Sequence, residues 1–154
     1  MSATGSWLTQ AGIVSALRNA SSVTSLLAMQ ADASSSVVDE VQEGIVFPYI
    51  VVGEGTEQEQ NYFGQGGHVV TVELYIYTQD GSPTSASSGA AGYKQGLAIA
   101  DAVCAVLQDG SSLSVDGHDV VMVNQNEDWS KERLDDGITR CVIPKLEITL
   151  EDSE

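Results

Sequence analysis

Residues 45–53 read Ile-Val-Phe-Pro-Tyr-Ile-Val-Val-Gly, the longest apolar run with strand character in this chain of 154 residues. Val, Ile, Phe and Tyr suit a pleated, half-buried surface, so a strand is expected from Ile45 to Gly53. Pro48 has no N–H to give to a ladder, which places it at an edge, a strand start or a bulge. An acid-rich lead-in, Glu40 to Gly44, runs into this strand. A long polar loop, Glu54 to Gly67 (EGTEQEQNYFGQGG), follows it. A second and longer strand then begins at His68. The hairpin-like unit formed by these two strands is read as the core around which helices are laid.

The second strand, His68 to Thr78, alternates with a period of two. Val70, Val72, Leu74 and Ile76 share one face, while Thr71, Glu73, Tyr75 and Tyr77 share the other. Tyr75 and Tyr77 on the outer face are candidate partner contacts. In the preceding loop, Glu57, Glu59 and the aromatic pair Tyr62-Phe63 are candidates too. The alternative for the two rings is that they fold back onto the domain. Connections this long are usually functional or mobile.

Outward from this unit, Ser6 to Ala20 carries Trp7, Ala11, Val14 and Leu17, with Ile13, at helical spacing. Val23 to Met29 reads as a further helical turn, Ala31 to Ser36 as a small-residue loop and Val37 to Gln42 as a short strand. Gln79 to Ala91 is rich in turn formers. Tyr93 to Gln108 gives the clearest helix, with Tyr93, Leu97, Ala100, Val103, Cys104 and Leu107 in one stripe. Leu113 to Val115 and His118 to Val123 flank an Asp-Gly turn and read as a hairpin. A closing strand is expected from Ile138 to Leu150, with Pro144 at an edge or bulge. Glu151 to Glu154 reads as a frayed tail. The pattern predicts one α+β domain: an antiparallel or mixed β-sheet with two main helices packed on one face.

Composition narrows the function classes. A chain of this length buries about 68–70% of its unfolded surface, enough for a core without disulfides or metal. Twenty-two acidic residues face six basic ones, a net charge of −16, and no Lys or Arg lies between Arg18 and Lys94. Such a chain repels phosphate, which argues against a basic nucleic-acid groove and against an anionic membrane partner. High solubility or adaptation to a salty medium is the alternative meaning of that charge. The N-terminus, MSATGSWL, lacks the basic and apolar regions of a signal peptide. Cys104 and Cys141 read as buried free thiols, with a disulfide as the alternative.

Catalytic and metal motifs are sparse. The two histidines, His68 and His118, lie at a strand start and after a turn, without nucleophile or metal spacing. Asn124, Asn126 and Asp128 imitate the first ligands of a calcium loop. The pattern then fails, because Trp129 stands where Gly is needed and Asp135 where the closing Glu belongs. No cofactor, metal or catalytic residue is assigned. Trp129 lies in Glu-Asp-Trp-Ser-Lys-Glu-Arg-Leu (127–134). With Arg133 it has the composition of a binding anchor, and the alternative is a Trp closing the core edge of a hairpin.

The ordered set of elements resembles the tail completion, or tail terminator, proteins of long non-contractile-tailed phages and related gene-transfer particles. The residues carrying the resemblance begin with Leu26-Leu27-Ala28 after the first helix and the strand Phe47-Pro48-Tyr49-Ile50-Val51-Val52-Gly53. They continue through His68, Leu74-Tyr75-Ile76-Tyr77 and a helix with Ile99, Ala100, Val103 and Leu107. The Leu113-x-Val115-x-Gly117-His118 hairpin and a closing strand opened by Arg140 complete them. The acidity and the 54–67 loop depart from the family pattern. The resemblance implies a non-enzymatic virion protein that forms a ring, usually of six copies, at the head-proximal end of the tail. Tail tube protein would meet one ring face and the head connector the other, with DNA passing through the channel without specific binding. Another neck or tail-tube component is the nearest alternative; a small ligand-binding module or enzyme of a salt-adapted microbe is the more distant one.

Overall fold

The computed structural model describes residues 5–27, 36–40, 45, 47–62, 65–79, 93–108, 113–115, 118–125, 129–135 and 139–152. In chain order these form α1 (Gly5–Arg18), α2 (Ser21–Thr24), β1 (Val37–Val38), β2 (Tyr49–Val52), β3 (Thr56–Tyr62) and β4 (Gln65–Gln79). They continue as α3 (Lys94–Leu107), β5 (His118–Gln125), β6 (Ser130–Arg133), β7 (Thr139–Ile143) and β8 (Lys145–Asp152). The fold is α+β with a mixed sheet, in which β1 and β2 run parallel and the other pairs antiparallel.

The 15-residue β4 is the axis of the sheet. Its N-terminal half pairs with β3 on one side and β8 on the other. Its C-terminal half pairs with β2 and β7. Strand β1 extends β2, β6 extends β7, and β5 extends β8. Both neighbours of β4 therefore break at the same level, near Glu73 and Leu74. On one side Gly53 donates its N–H to the Glu73 carbonyl at 2.9 Å. An added Cβ at Gly53 would lie 2.8 Å from that oxygen, so a side chain there would press the break apart. On the other side Pro144, which cannot donate, accepts from the Leu74 N–H at 2.9 Å.

One face of β4 is the core. Val70, Val72, Leu74 and Ile76 are fully buried, as the alternation predicts. Helices α1 and α3 both pack against β4 and touch each other. From α3, Ile99, Ala100, Val103 and Leu107 enter the core. Gly96 lets that helix approach β7 closely, since a Cβ there would meet Val142 Cγ2 at 2.8 Å. From α1, the buried face is Thr9, Gln10, Ile13 and Leu17. Gln10 Nε2 donates to the Val52 carbonyl at 3.0 Å, which makes a polar residue acceptable there.

Several expectations are corrected. Trp7, expected in the apolar stripe of α1, is 64% exposed; the buried stripe starts instead with Thr9 and Gln10, which apolar periodicity cannot register. The strand expected over Ile45 to Gly53 is confined to Tyr49–Val52. Pro48 follows a cis Phe47-Pro48 bond just ahead of it, in agreement with the strand-start reading. The polar loop expected from Glu54 to Gly67 is largely strand: β3 and the first residues of β4 pair from Thr56↔Thr71 to Tyr62↔Gln65. An edge strand can be polar throughout when its partner supplies the ladder, so hydropathy alone hides it. The closing strand divides at Pro144 into β7 and β8, each pairing with a different half of β4. Glu151 and Asp152, expected to fray, belong to β8. The expected turns at 80–91 and 116–117 lie outside the described residues.

Candidate assembly surfaces

The sheet face opposite the helices is built by the residues that alternate with the core positions. Register places Tyr49 beside Tyr77, Val51 beside Tyr75, and Cys141 beside Tyr77 on its other side. The Tyr49 and Tyr77 rings stack with centroids 5.2 Å apart, and Phe47 adds a tilted ring 5.1 Å from Tyr49. Burial pushes the Tyr77 hydroxyl up to about 12, helped by Cys141 and Tyr49. Burial also holds Tyr49 and Tyr75 above their ordinary value. The Cys141 thiol is pushed up to about 11 by burial, with the Glu132 carboxylate adding to the rise, while hydrogen bonds from Tyr77 and the Ile76 backbone oppose it. A thiol so raised is protonated at neutral pH and is a poor nucleophile. Both cysteines are free and buried, as expected. Tyr49 and Cys141 are themselves buried, so this face presents outward the half-buried Phe47, Val51, Tyr75 and Tyr77, an aromatic surface with polar tips suited to contact.

Among the described residues four strands end the sheet: β1 and β6 at the two sides of one half, β3 and β5 at the two sides of the other. They are unequal. Strand β1 has two residues, and the Arg18 side chain donates to its Val37 carbonyl at 2.9 Å. Strand β5 carries a register shift between Val120 and Met122, where Val121 and Met122 are about half exposed. Bulges and short length both blunt an edge against further pairing. Strand β3 has neither device, and β6, though four residues long, carries no bulge. All four residues of β6 are exposed.

The eight sequence-derived candidates fall into distinct places. Tyr75 and Tyr77 meet on the helix-free face. Glu57 and Glu59 lie two apart on β3, with Glu57 opposite Val70 and Glu59 opposite His68, and Tyr62 ends the strand. Phe63 lies outside the described residues. Arg133 is exposed on β6, whereas Trp129 is half-buried and packs against the core, which favours the core-edge reading. Glu57 Oε2 approaches His68 Nδ1 at 3.1 Å, and the His68 and His118 rings lie edge to face at 5.8 Å. Sequence reasoning passed over Phe47, Tyr49 and Cys141 as members of the aromatic face. The available signal was their phase: Tyr49 alternates with the core residues Ile50 and Val52.

Among the described residues no group of three or more His, Cys, Asp or Glu is placed to hold a metal ion. No described helix is long and apolar enough to cross a membrane. Residues 11–143 match the family model described as Tail completion protein gp17. The chain belongs to that tail completion family. A chain of a solved structure, the virion of a native gene transfer agent (GTA) particle, shares the fold with a TM-score of 0.71 at 19% identity. The match covers 92% of this tail completion chain and 93% of the other. No curated protein sequence matches it. As a member of this family, the tail completion chain is a structural protein of a phage-type tail.

Proposed function

We propose that this tail completion protein closes into a ring, of six copies in the family pattern, that caps the finished tail tube and joins it to the head connector. The observation that supports the ring most is the sheet itself, which among the described residues ends in strands paired on one side alone, on both sides of β4. A head-to-tail ring needs two different complementary surfaces on one subunit. The protein acts by geometry and not by catalysis: its buried thiols are held protonated, and its aromatic face and strand edges are contact surfaces. Net charge −16 suits a passage for DNA that must not grip it. Some of the carboxylates in the stretches Asp39 to Glu59 or Asp128 to Asp136, those outside β3 and β6, line that passage and repel phosphate. The tail tube protein takes one ring face, the head completion protein the other.

The test is electron microscopy of the purified chain alone and with purified tail tubes. The proposal expects closed rings with an open centre, one at one end of each tube, and tubes that stop growing once capped. Stacks of the chain that extend into tubes would instead make it a tube subunit.

A further inference from the structure

We infer that neighbouring copies in the ring join by continuing the β-sheet, with the basic edge β6 of one copy added to the acidic edge β3 of the next. The inference rests on the ring reading and goes on to name its interface.

Three observations carry it. The first is the state of the edges. Of the four, β1 is shortened and closed by Arg18, and β5 is bulged, while β3 with seven residues and β6 with four are regular. Each is paired on one side alone among the described residues, and they stand on opposite sides of β4. Regular unpaired edges accept another strand.

The second is charge. Four of the six basic residues of the chain fall between Lys131 and Lys145, two of them on β6. Strand β3 reads Thr-Glu-Gln-Glu-Gln-Asn-Tyr, with two carboxylates and no cation. In a chain of net charge −16, a cationic edge is the scarce feature. Pairing β6 with β6, or β3 with β3, sets like charges opposite one another, which destabilises a strand pair. Strand β6 also carries Glu132, but on the opposite face, so pairing β6 with β3 sets Lys131 and Arg133 on the side of the carboxylate positions 57 and 59. Electrostatics therefore disfavours a two-fold dimer and favours the head-to-tail contact that closes rings.

The third is phase. Lys131 is opposite Val142, which is opposite Ile76 on the helix-bearing face; Arg133 is two residues on and shares it. Glu57 is opposite Val70, and position 59 is opposite His68, again on the helix-bearing face. A sheet continued from copy to copy keeps its faces, so both cations and both carboxylate positions arrive on the same side. Their spacing of two residues is the same in both strands. Glu57 already meets His68, so charge changes on β3 are best made at position 59.

Cross-linking tests the contact. Gln58→Cys and Ser130→Cys place thiols at exposed positions on the helix-free face of the two edges. The native Cys104 and Cys141 are buried. With a short bis-maleimide, the double variant is expected to give a covalent ladder up to the full ring, and each single variant none. Separately, K131E/R133E is expected to weaken ring assembly by about tenfold or more while the subunit stays folded, because interactions of exposed charges contribute little to its stability. Adding Glu59→Lys to that background is expected to recover part of the loss. Rings from the double-cysteine variant that show no ladder, or K131E/R133E rings that assemble like wild type, would overturn the edge assignment and leave the ring reading standing. Failure of the wild-type chain to form any ring, alone or on tubes, would overturn both.

Discussion

Raising the pH from 8 to 11 should unfold this protein by a route that the structure makes quantitative. Cys141 is 1% exposed and Cys104 8%. Burial pushes each thiol from its ordinary 9.0 up to about 11, with Glu132 adding at Cys141 and Asp101 at Cys104. These groups are neutral when protonated, so the folded chain holds their protons more tightly than the unfolded chain. Their contribution is fully present below pH 9 and is lost as pH rises through about 11. A difference of two pH units in affinity for one proton corresponds to about 3 kcal/mol per thiol. Together that is an upper bound of about 6 kcal/mol, a large part of the roughly 5–15 kcal/mol that holds a domain folded. Tyr77, pushed to about 12, adds to the loss above pH 10. The assay is the urea midpoint by circular dichroism at pH 8, 9, 10 and 10.5 with reductant present. The midpoint should fall steadily above pH 9, and C104A/C141A should start lower but fall less steeply. A midpoint that is flat to pH 10.5, or a fall as steep without the thiols, would refute the reasoning.

Four substitutions probe the packing. Gly96→Ala gains about 1 kcal/mol of helix propensity but forces a Cβ to within 2.8 Å of the stiff, buried Val142. Overpacking costs about 1–3 kcal/mol, so a net loss near 1 kcal/mol and a melting temperature lower by about 2–4 °C are expected. Ile76→Ala, on the axis strand and fully buried, should cost about 2–5 kcal/mol in denaturant titration, whereas Trp7→Ala, at 64% exposure, should stay within about 0.5 kcal/mol. Arg18→Ala removes the donor to the Val37 carbonyl and should cost about 1 kcal/mol, with faster hydrogen exchange at β2, whose outer neighbour is loosened.

The parts legible in the sequence were those in which burial writes a period. The alternation of Val70, Val72, Leu74 and Ile76 marked the axis strand and its core face, and the α3 stripe placed Ala100, Val103 and Leu107 correctly. Pro48 and Pro144 each marked a break that the backbone confirms: one precedes β2, the other separates β7 from β8. What stayed hidden was stabilised by pairing rather than by burial. Strand β3 has no apolar alternation, because its ladder to β4 holds it at the edge. The α1 stripe misled because Trp7 looks like core, while Gln10 takes its place by bonding Val52. For the candidate surfaces, single residues were legible but their grouping was not. Tyr75 and Tyr77 were chosen as an outer face, but Tyr49 and Cys141 join them only through a register that crosses from β2 to β7.

The central claim is position: a ring of this protein at the head-proximal end of the tail. Immunolabelling of intact particles with an antibody to this chain, imaged by electron microscopy, tests it most directly. The account predicts label at the head–tail junction, at one site per particle. Label distributed along the tail, or absent from every particle, would contradict it.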